Sequence, residues 1–217
     1  MEMIVIIGAR PGISHGVAKK FGKEGYKIAL IARNEKKLKQ QVTELQEDGI
    51  FAFYAAGDVS DENSLKSALA KVRDAEGHAS MILYNAAGFS VKDILEQDWE
   101  TIRQTMDTSV GGYFNLMKTV LPYCIGHNKG KLFVTGGGFA LQGDPQWTAL
   151  SVGKAALRNL VQAFQKKVEG TNVHIAQLTV CGYVNPQDEK YSPKAIADQY
   201  WKLYNQKPGE FEGEVIY

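Results

Sequence analysis

IVIIGARPGISHGVAKKFGKEGYKIALIARN, residues 4–34, decides the fold. Ile4, Val5, Ile6 and Ile7 form a short continuous apolar run, the pattern of a strand covered on both faces. Gly8, Gly12 and Gly16 then punctuate a turn that opens a helix with Ile13, Val17, Ala18 and Phe21 along its inner stripe. Glycine lets a backbone adopt positive φ and approach a ligand closely. The free N–H groups and positive dipole of the helix start suit a pyrophosphate. Gly25 stops the helix, and Ile28–Ala32 forms the next strand. Glycines spaced this way mean little alone, and a glycine-rich turn is the bland reading. After a strand, before a helix and within one βαβ unit, they predict a dinucleotide site.

The alternation continues downstream. Asn34 is placed to cap a helix with Leu38, Val42 and Leu45 inside and Gly49 at its end. Ile50–Ala56 reads as a third strand, and Ser60 as the cap of a helix burying Leu65, Ala68, Leu69 and Val72 before Gly77. Met81–Tyr84 is a fourth strand leading into Asn85-Ala86-Ala87-Gly88. One long helix is expected over Asp98–Cys124, a fifth strand over Lys131–Thr135, a helix over Thr148–Glu169 and a sixth strand over Val173–Val180. Ser192-Pro193 starts a last helix reaching about Gln206, and Glu214–Tyr217 suits an edge strand. Such alternation predicts an α/β fold: one Rossmann-like domain over residues 1–217, a doubly wound parallel sheet between two helical layers.

With 217 residues, 44% of them hydrophobic, the chain can bury one substantial core. A formal net charge of +1 argues against nucleic acid or an anionic membrane as the main partner. No apolar run is long enough to span a bilayer, and the first strand leaves no room for a signal peptide. Cys124 and Cys181 form neither a disulfide framework nor a metal motif, so no metal is expected and the setting reads as cytoplasmic.

Gly8-x3-Gly12-Ile13, the Asn85–Gly88 stretch and Lys154 on the long helix after strand five resemble the short-chain dehydrogenase/reductase family over nearly the whole chain. The family usually has Thr where Ile7 stands and a third glycine where Ser14 stands, so the Cβ of Ser14 is expected to narrow the phosphate approach. The resemblance implies that Asp58 accepts from an adenine amino group and that Val59 packs on the ring; a helix-capping Asp58 is the alternative. It also implies that Asn85, Ala86, Ala87 and Gly88 let the dinucleotide cross the sheet edge, and that Val184 meets the carboxamide through its backbone. Ala32 leaves no carboxylate at the end of strand two, and Arg33 follows it, beside Asn34. A guanidinium fork suits a 2′-phosphate, and Arg10 is placed to complete a two-arginine clamp, so NADP(H) is the expected cofactor. Two solvated arginines are the plainer reading.

The catalytic pattern departs from the family. Its Tyr-x3-Lys pair is Leu150 and Lys154 here, its orienting Ser falls on Gly137, and its supporting Asn on Ser109. Leucine donates no proton. Trp147, where another family variant has its tyrosine, is a hydrogen-bond donor and a negligible acid. Thr135, Asp144, Thr148, Ser151 and Tyr183 are the candidates to replace it, and Lys154 could be a lysine that merely snorkels. Pro186 stands where the family often has a Thr, and the short stretch near 183–192 leaves little of the usual substrate lid.

Three readings result. The first is a divergent NADP(H)-dependent oxidoreductase acting on an activated small-molecule acceptor, such as a conjugated enone or quinone. The second is a catalytically silent NADP(H)-binding redox sensor or scaffold, and the third a structural oligomer with a vestigial site. A homodimer or homotetramer is expected on the two long helices, whose Tyr113, Met117, Leu157, Leu160, Val161 and Phe164 exceed one sheet-facing stripe; packing within the monomer is the alternative.

Overall fold

A computed structural model describes residues Met1–Tyr217. Strand β1 (Met3–Ile7) is buried along its whole length, and its alternate side chains go to opposite faces. Ile4 and Ile6 join Phe21, Leu38 and Tyr200 in one core, while Val5 and Ile7 join Leu65, Tyr113 and Leu157 in the other. The first core lies under α1 (Ile13–Lys23), α2 (Glu35–Glu47) and α7 (Pro193–Tyr204). The second lies under α3 (Glu62–Glu76), α5 (Gly112–Gly126) and α6 (Thr148–Lys167). Two apolar faces on one sheet require two helical layers, which is the three-layer arrangement expected.

The remaining strands are β2 (Lys27–Ala32), β3 (Ala52–Ala56), β4 (Met81–Tyr84), β5 (Gly130–Gly137), β6 (Val173–Val180) and β7 (Glu214–Ile216). The seven strands lie in the order β3-β2-β1-β4-β5-β6-β7, all parallel. The chain winds outward from β1 through β3 and then returns to β4, so the switch point falls between β1 and β4. In such sheets a crevice opens there, at the strands' carboxyl ends.

Several local expectations change. The long helix over 98–124 is interrupted: α4 (Trp99–Met106) runs into a π-helical turn at Asp107–Gly111 before α5 begins. A π turn frees backbone carbonyls, and the Tyr84 hydroxyl donates to that of Thr108. The cap of α3 is Asp61, whose side chain accepts from Ser64 N; Ser60 instead bonds to Asp58. Ile50 closes α2 through Leu45 O rather than starting β3. β5 runs two residues further than expected, through Gly136 and Gly137, which pair with Thr179 and Val180. Gly16 belongs to α1 rather than to the turn, and a Cβ there would lie 2.4 Å from Pro193 O, so it seats α7 against α1.

Most of the apolar surplus on the two long helices is spent inside the monomer. Tyr113, Met117, Leu157 and Val161 are fully buried, and Leu160 and Phe164 pack on the same core. What remains outside is Trp99 on α4, Phe114 and Ile125 on α5, and Val152 on α6.

Candidate functional site

The loops after β1 and β4 meet at the switch point. Gly8 has φ +80°, and a Cβ there would lie 2.4 Å from Ala86 N, so no other residue lets these loops touch. Gly12 follows with φ 98° as the residue before α1. Asn34, Asp61, Asp98 and Ser192 cap α2, α3, α4 and α7 with their side chains, whereas no side chain caps α1. Its first N–H groups are therefore left to an anion. Ile13, partly buried, begins the helix beside them.

Ser14 does not narrow this approach. It is fully buried, its hydroxyl donating to Gly8 O at 3.1 Å and accepting from Asn85 Nδ2 at 2.6 Å. Ser14 and Asn85 thus tie the two loops together from below. Ala86 is buried and Ala87 partly so. At Gly88 a Cβ would come within 2.9 Å of Thr105 Cα, which explains the small residues of this loop.

The two arginines have different neighbours. Arg33 is 71% exposed at the end of β2, its guanidinium 3.9 Å from the Asp58 carboxylate. Arg10 lies instead over the Phe89 ring, 5.9 Å from its centroid. Asp58 Oδ1 accepts from the backbone N–H and hydroxyl of Ser60, at 2.9 and 2.7 Å, leaving Oδ2 on the side of Arg33. Val59 is buried in the core beneath, and Asn34 Oδ1 is engaged by Lys37 N. Val184 is half-buried against the α1–α7 core.

At the other end of the crevice Lys154 is buried, with its Nζ donating to Thr135 O at 2.6 Å. Burial, and next the charge of Arg10, bring its pKa down to about 8. Leu150 lies one helical turn earlier on α6. A Cβ at Gly137 would be 3.9 Å from Lys154 Cε, so that position faces the lysine. Ser109, in the π turn, is fully buried with an unpartnered hydroxyl, packed toward Gly153.

The side chains considered as replacement proton donors have structural partners or face away. Thr135 Oγ1 pairs with the Tyr200 hydroxyl at 2.7 Å. Asp144 accepts from Gln146 N and Trp147 N, Thr148 donates to Asp144 O, and Ser151 donates to Trp147 O. Tyr183 is 87% exposed. The segment 183–192 is a run of turns without a helix, held by Asp188 accepting from Lys190 N and Tyr191 N. An aromatic group at the mouth escaped notice in the sequence: Phe139 stacks on Trp147 at 5.8 Å, with Phe89 6.2 Å from the same indole. Its members come from three loops, and only Trp147 stands at a position that the sequence pattern singles out.

No helix is long and apolar enough to cross a membrane, and no three acidic, His or Cys side chains are grouped to hold a metal. Comparison with known proteins places this geometry. The family model described as short chain dehydrogenase matches residues 2–195. An uncharacterized oxidoreductase of Staphylococcus epidermidis is 24% identical over 182 residues, covering 82% of this chain and 76% of the relative. The crystal structure of a short-chain dehydrogenase from Rhodopseudomonas palustris superposes with TM-score 0.87 at 25% identity, covering 100% of this chain and 97% of that one. An alcohol dehydrogenase from the archaeon Thermococcus sibiricus, complexed with 5-hydroxy-NADP, gives TM-score 0.88 at 24% identity, over 100% and 96% of the two chains.

Proposed function

The chain belongs to the short-chain dehydrogenase family, and on that premise we propose that it is an NADP(H)-dependent oxidoreductase of a small-molecule acceptor that works without a tyrosine acid. The observation that carries this reading is an uncapped α1 after β1 together with Arg33 after the neighbouring strand β2, both at the carboxyl edge of the sheet. The residues fit the cofactor: Gly12 and the uncapped first turn of α1 offer backbone N–H groups to a pyrophosphate, Gly8 lets the turn close on Ala86 while its own N–H donates to Ile31 O, and no acidic side chain at Ala32 opposes a 2′-phosphate. Arg33 supplies the fork of donors for that phosphate, with Asn34 beside it. Asp58 Oδ2 remains for the adenine edge, and the backbones of Val59, Ala86, Ala87 and Gly88 line the path. The backbone of Val184 serves the carboxamide. When bound, the nicotinamide supplies the hydride.

Lys154 is the one catalytic side chain this reading keeps. Buried and without a carboxylate partner, its Nζ grips the nicotinamide ribose and offsets negative charge developing on the acceptor. Leu150 and Gly137 contribute neither a proton nor a carbonyl-orienting hydroxyl. Acceptors that need concerted protonation are therefore disfavoured, since general acid catalysis commonly contributes about 10²–10⁴-fold. We also propose a symmetric homodimer or homotetramer in which Phe114 and Val152, on α5 and α6, are covered. Light scattering finding only the 23.9 kDa monomer at micromolar concentration would remove that part.

The test is NADPH oxidation followed by absorbance with aldehydes, ketones and conjugated acceptors. We expect turnover with some conjugated acceptors, and rates on simple aldehydes and ketones below about 1 s⁻¹, slow for an enzyme. NADPH binding without oxidation by any acceptor would favour the silent sensor instead.

A further inference from the structure

Resting on that reading, we infer that the acceptor is a planar conjugated ring system, of quinone type, stacked on the wall formed by Phe89, Trp147 and Phe139. Phe139 stacks on the Trp147 indole at 5.8 Å and 22° from parallel, and Phe89 is tilted at 42° to the same indole with its centroid 6.2 Å away. Phe89 is 55% exposed, and its ring carries the Arg10 guanidinium. Each member is anchored to the catalytic end. Trp147 immediately precedes α6 and stands seven residues, two helical turns, ahead of Lys154. Phe139 follows Gly137 and Gly138, and Gly137 faces the lysine stem. Phe89 follows the Asn85–Gly88 loop at the switch point. A backbone bridge between Lys92 and Trp147, with Gln146 Nε2 donating to Asp93 at 3.1 Å, holds the loop bearing Phe89 against the start of α6.

Aromatic faces favour offset stacking of flat rings over contact with puckered saturated ones. The chemistry selects the same class. In net terms a quinone that accepts a hydride equivalent ends with the transferred hydrogen as one O–H, while its other C=O becomes C–O⁻ as the ring turns aromatic. The resulting phenolate is stable enough to collect the remaining proton from water, giving a hydroquinone; the bound nicotinamide would be the hydride source. No side-chain acid is required, which matches Leu150 beside Lys154. The two cations, Arg10 and Lys154, attract the anion as it forms.

Two measurements test this, one of which needs no turnover. In calorimetry on the NADP⁺-loaded protein, 2-naphthol should bind at least about tenfold tighter than its saturated counterpart 2-decalol. Phe89→Ser, on an exposed loop, and Trp147→Leu should each weaken 2-naphthol binding by at least about fivefold. With NADPH, 1,4-naphthoquinone should be reduced in preference to 2-decalone, and Phe89→Ser should raise the KM for naphthoquinone. Equal affinity for the flat and saturated alcohols, or unaltered binding in both variants, would overturn the stacking wall. Tight, variant-sensitive 2-naphthol binding without any NADPH oxidation would keep the wall and remove the oxidoreductase reading. Reduction of 2-decalone as fast as naphthoquinone would do the reverse.

Discussion

In the half of the sheet built from β1, β2, β3 and the loop after β4, recognition groups are mostly backbone. Gly8 and Ala86 touch through main chain, α1 offers uncapped N–H groups, and Ser14 and Asn85 lock the two loops from below. In the half built from β5, α6 and β6, the proposed chemistry depends on individual side chains, above all the buried Lys154. The fold tolerates this difference for a physical reason. Backbone sites are fixed by the packing of strands and helices, whereas a single side chain at position 150 or 137 can change without disturbing the sheet. A member of this family can thus keep its nucleotide crevice while its reaction changes.

The largest expected effect attacks the backbone half. Gly8→Val puts a Cβ 2.4 Å from Ala86 N at φ +80°, so it should destabilise the protein by more than about 4 kcal/mol in denaturant titration and abolish NADPH binding. A variant that folds and binds like the parent would break the contrast.

Next is Lys154, whose folded pKa of about 8 lies below the ordinary 10.5. Below pH 8 the folded protein carries the whole penalty of a buried charge. Between pH 8 and 10.5 it gives up the proton before the unfolded chain does, so stability rises with pH. The parent should therefore gain about 3 kcal/mol on Lys154→Met across that window, read by urea denaturation at several pH values. A flat difference would mean that the lysine is well solvated.

Arg33→Ala should weaken NADPH binding by about 1.5–3 kcal/mol, roughly ten- to a hundredfold, and leave NADH nearly unchanged. The smallest effect separates a cap from a cofactor ligand. Asn34 Oδ1 accepts from Lys37 N at 3.0 Å, so Asn34→Ala should cost about 1 kcal/mol of stability. If NADPH affinity also falls more than about twofold, a change of some 0.4 kcal/mol, Asn34 touches the cofactor as well.

The sheet was legible in the sequence because each strand is an apolar run bounded by glycine or a cap, and parallel strands covered on both faces leave no other pattern. Boundaries slipped where one-dimensional signals compete. Ser60 and Asp61 are both good caps, and Asp58 takes the serine. The π turn at Asp107–Gly111 adds one residue and turns the helix face, so that α4 buries Thr105 and leaves Trp99 outside, while the apolar spacing alone still reads as one helix. Ser14 looked like an obstruction because sequence gives a residue's size and not its direction. Arg10 and Arg33 read as a pair in the sequence because each follows a strand of one βαβ unit, yet in the structure their side chains have different neighbours. The wall of Phe89, Phe139 and Trp147 spans three loops, and such a juxtaposition exists only once the chain has folded.

The most direct test of the central claim is a calorimetric titration of the parent protein with NADPH and with NADH under the same conditions. An uncapped α1 after β1 and Arg33 after β2, with no carboxylate at Ala32, predict that both bind and that NADPH is tighter by at least about tenfold, or 1.4 kcal/mol. Equal affinities, or no heat from either dinucleotide, would contradict it.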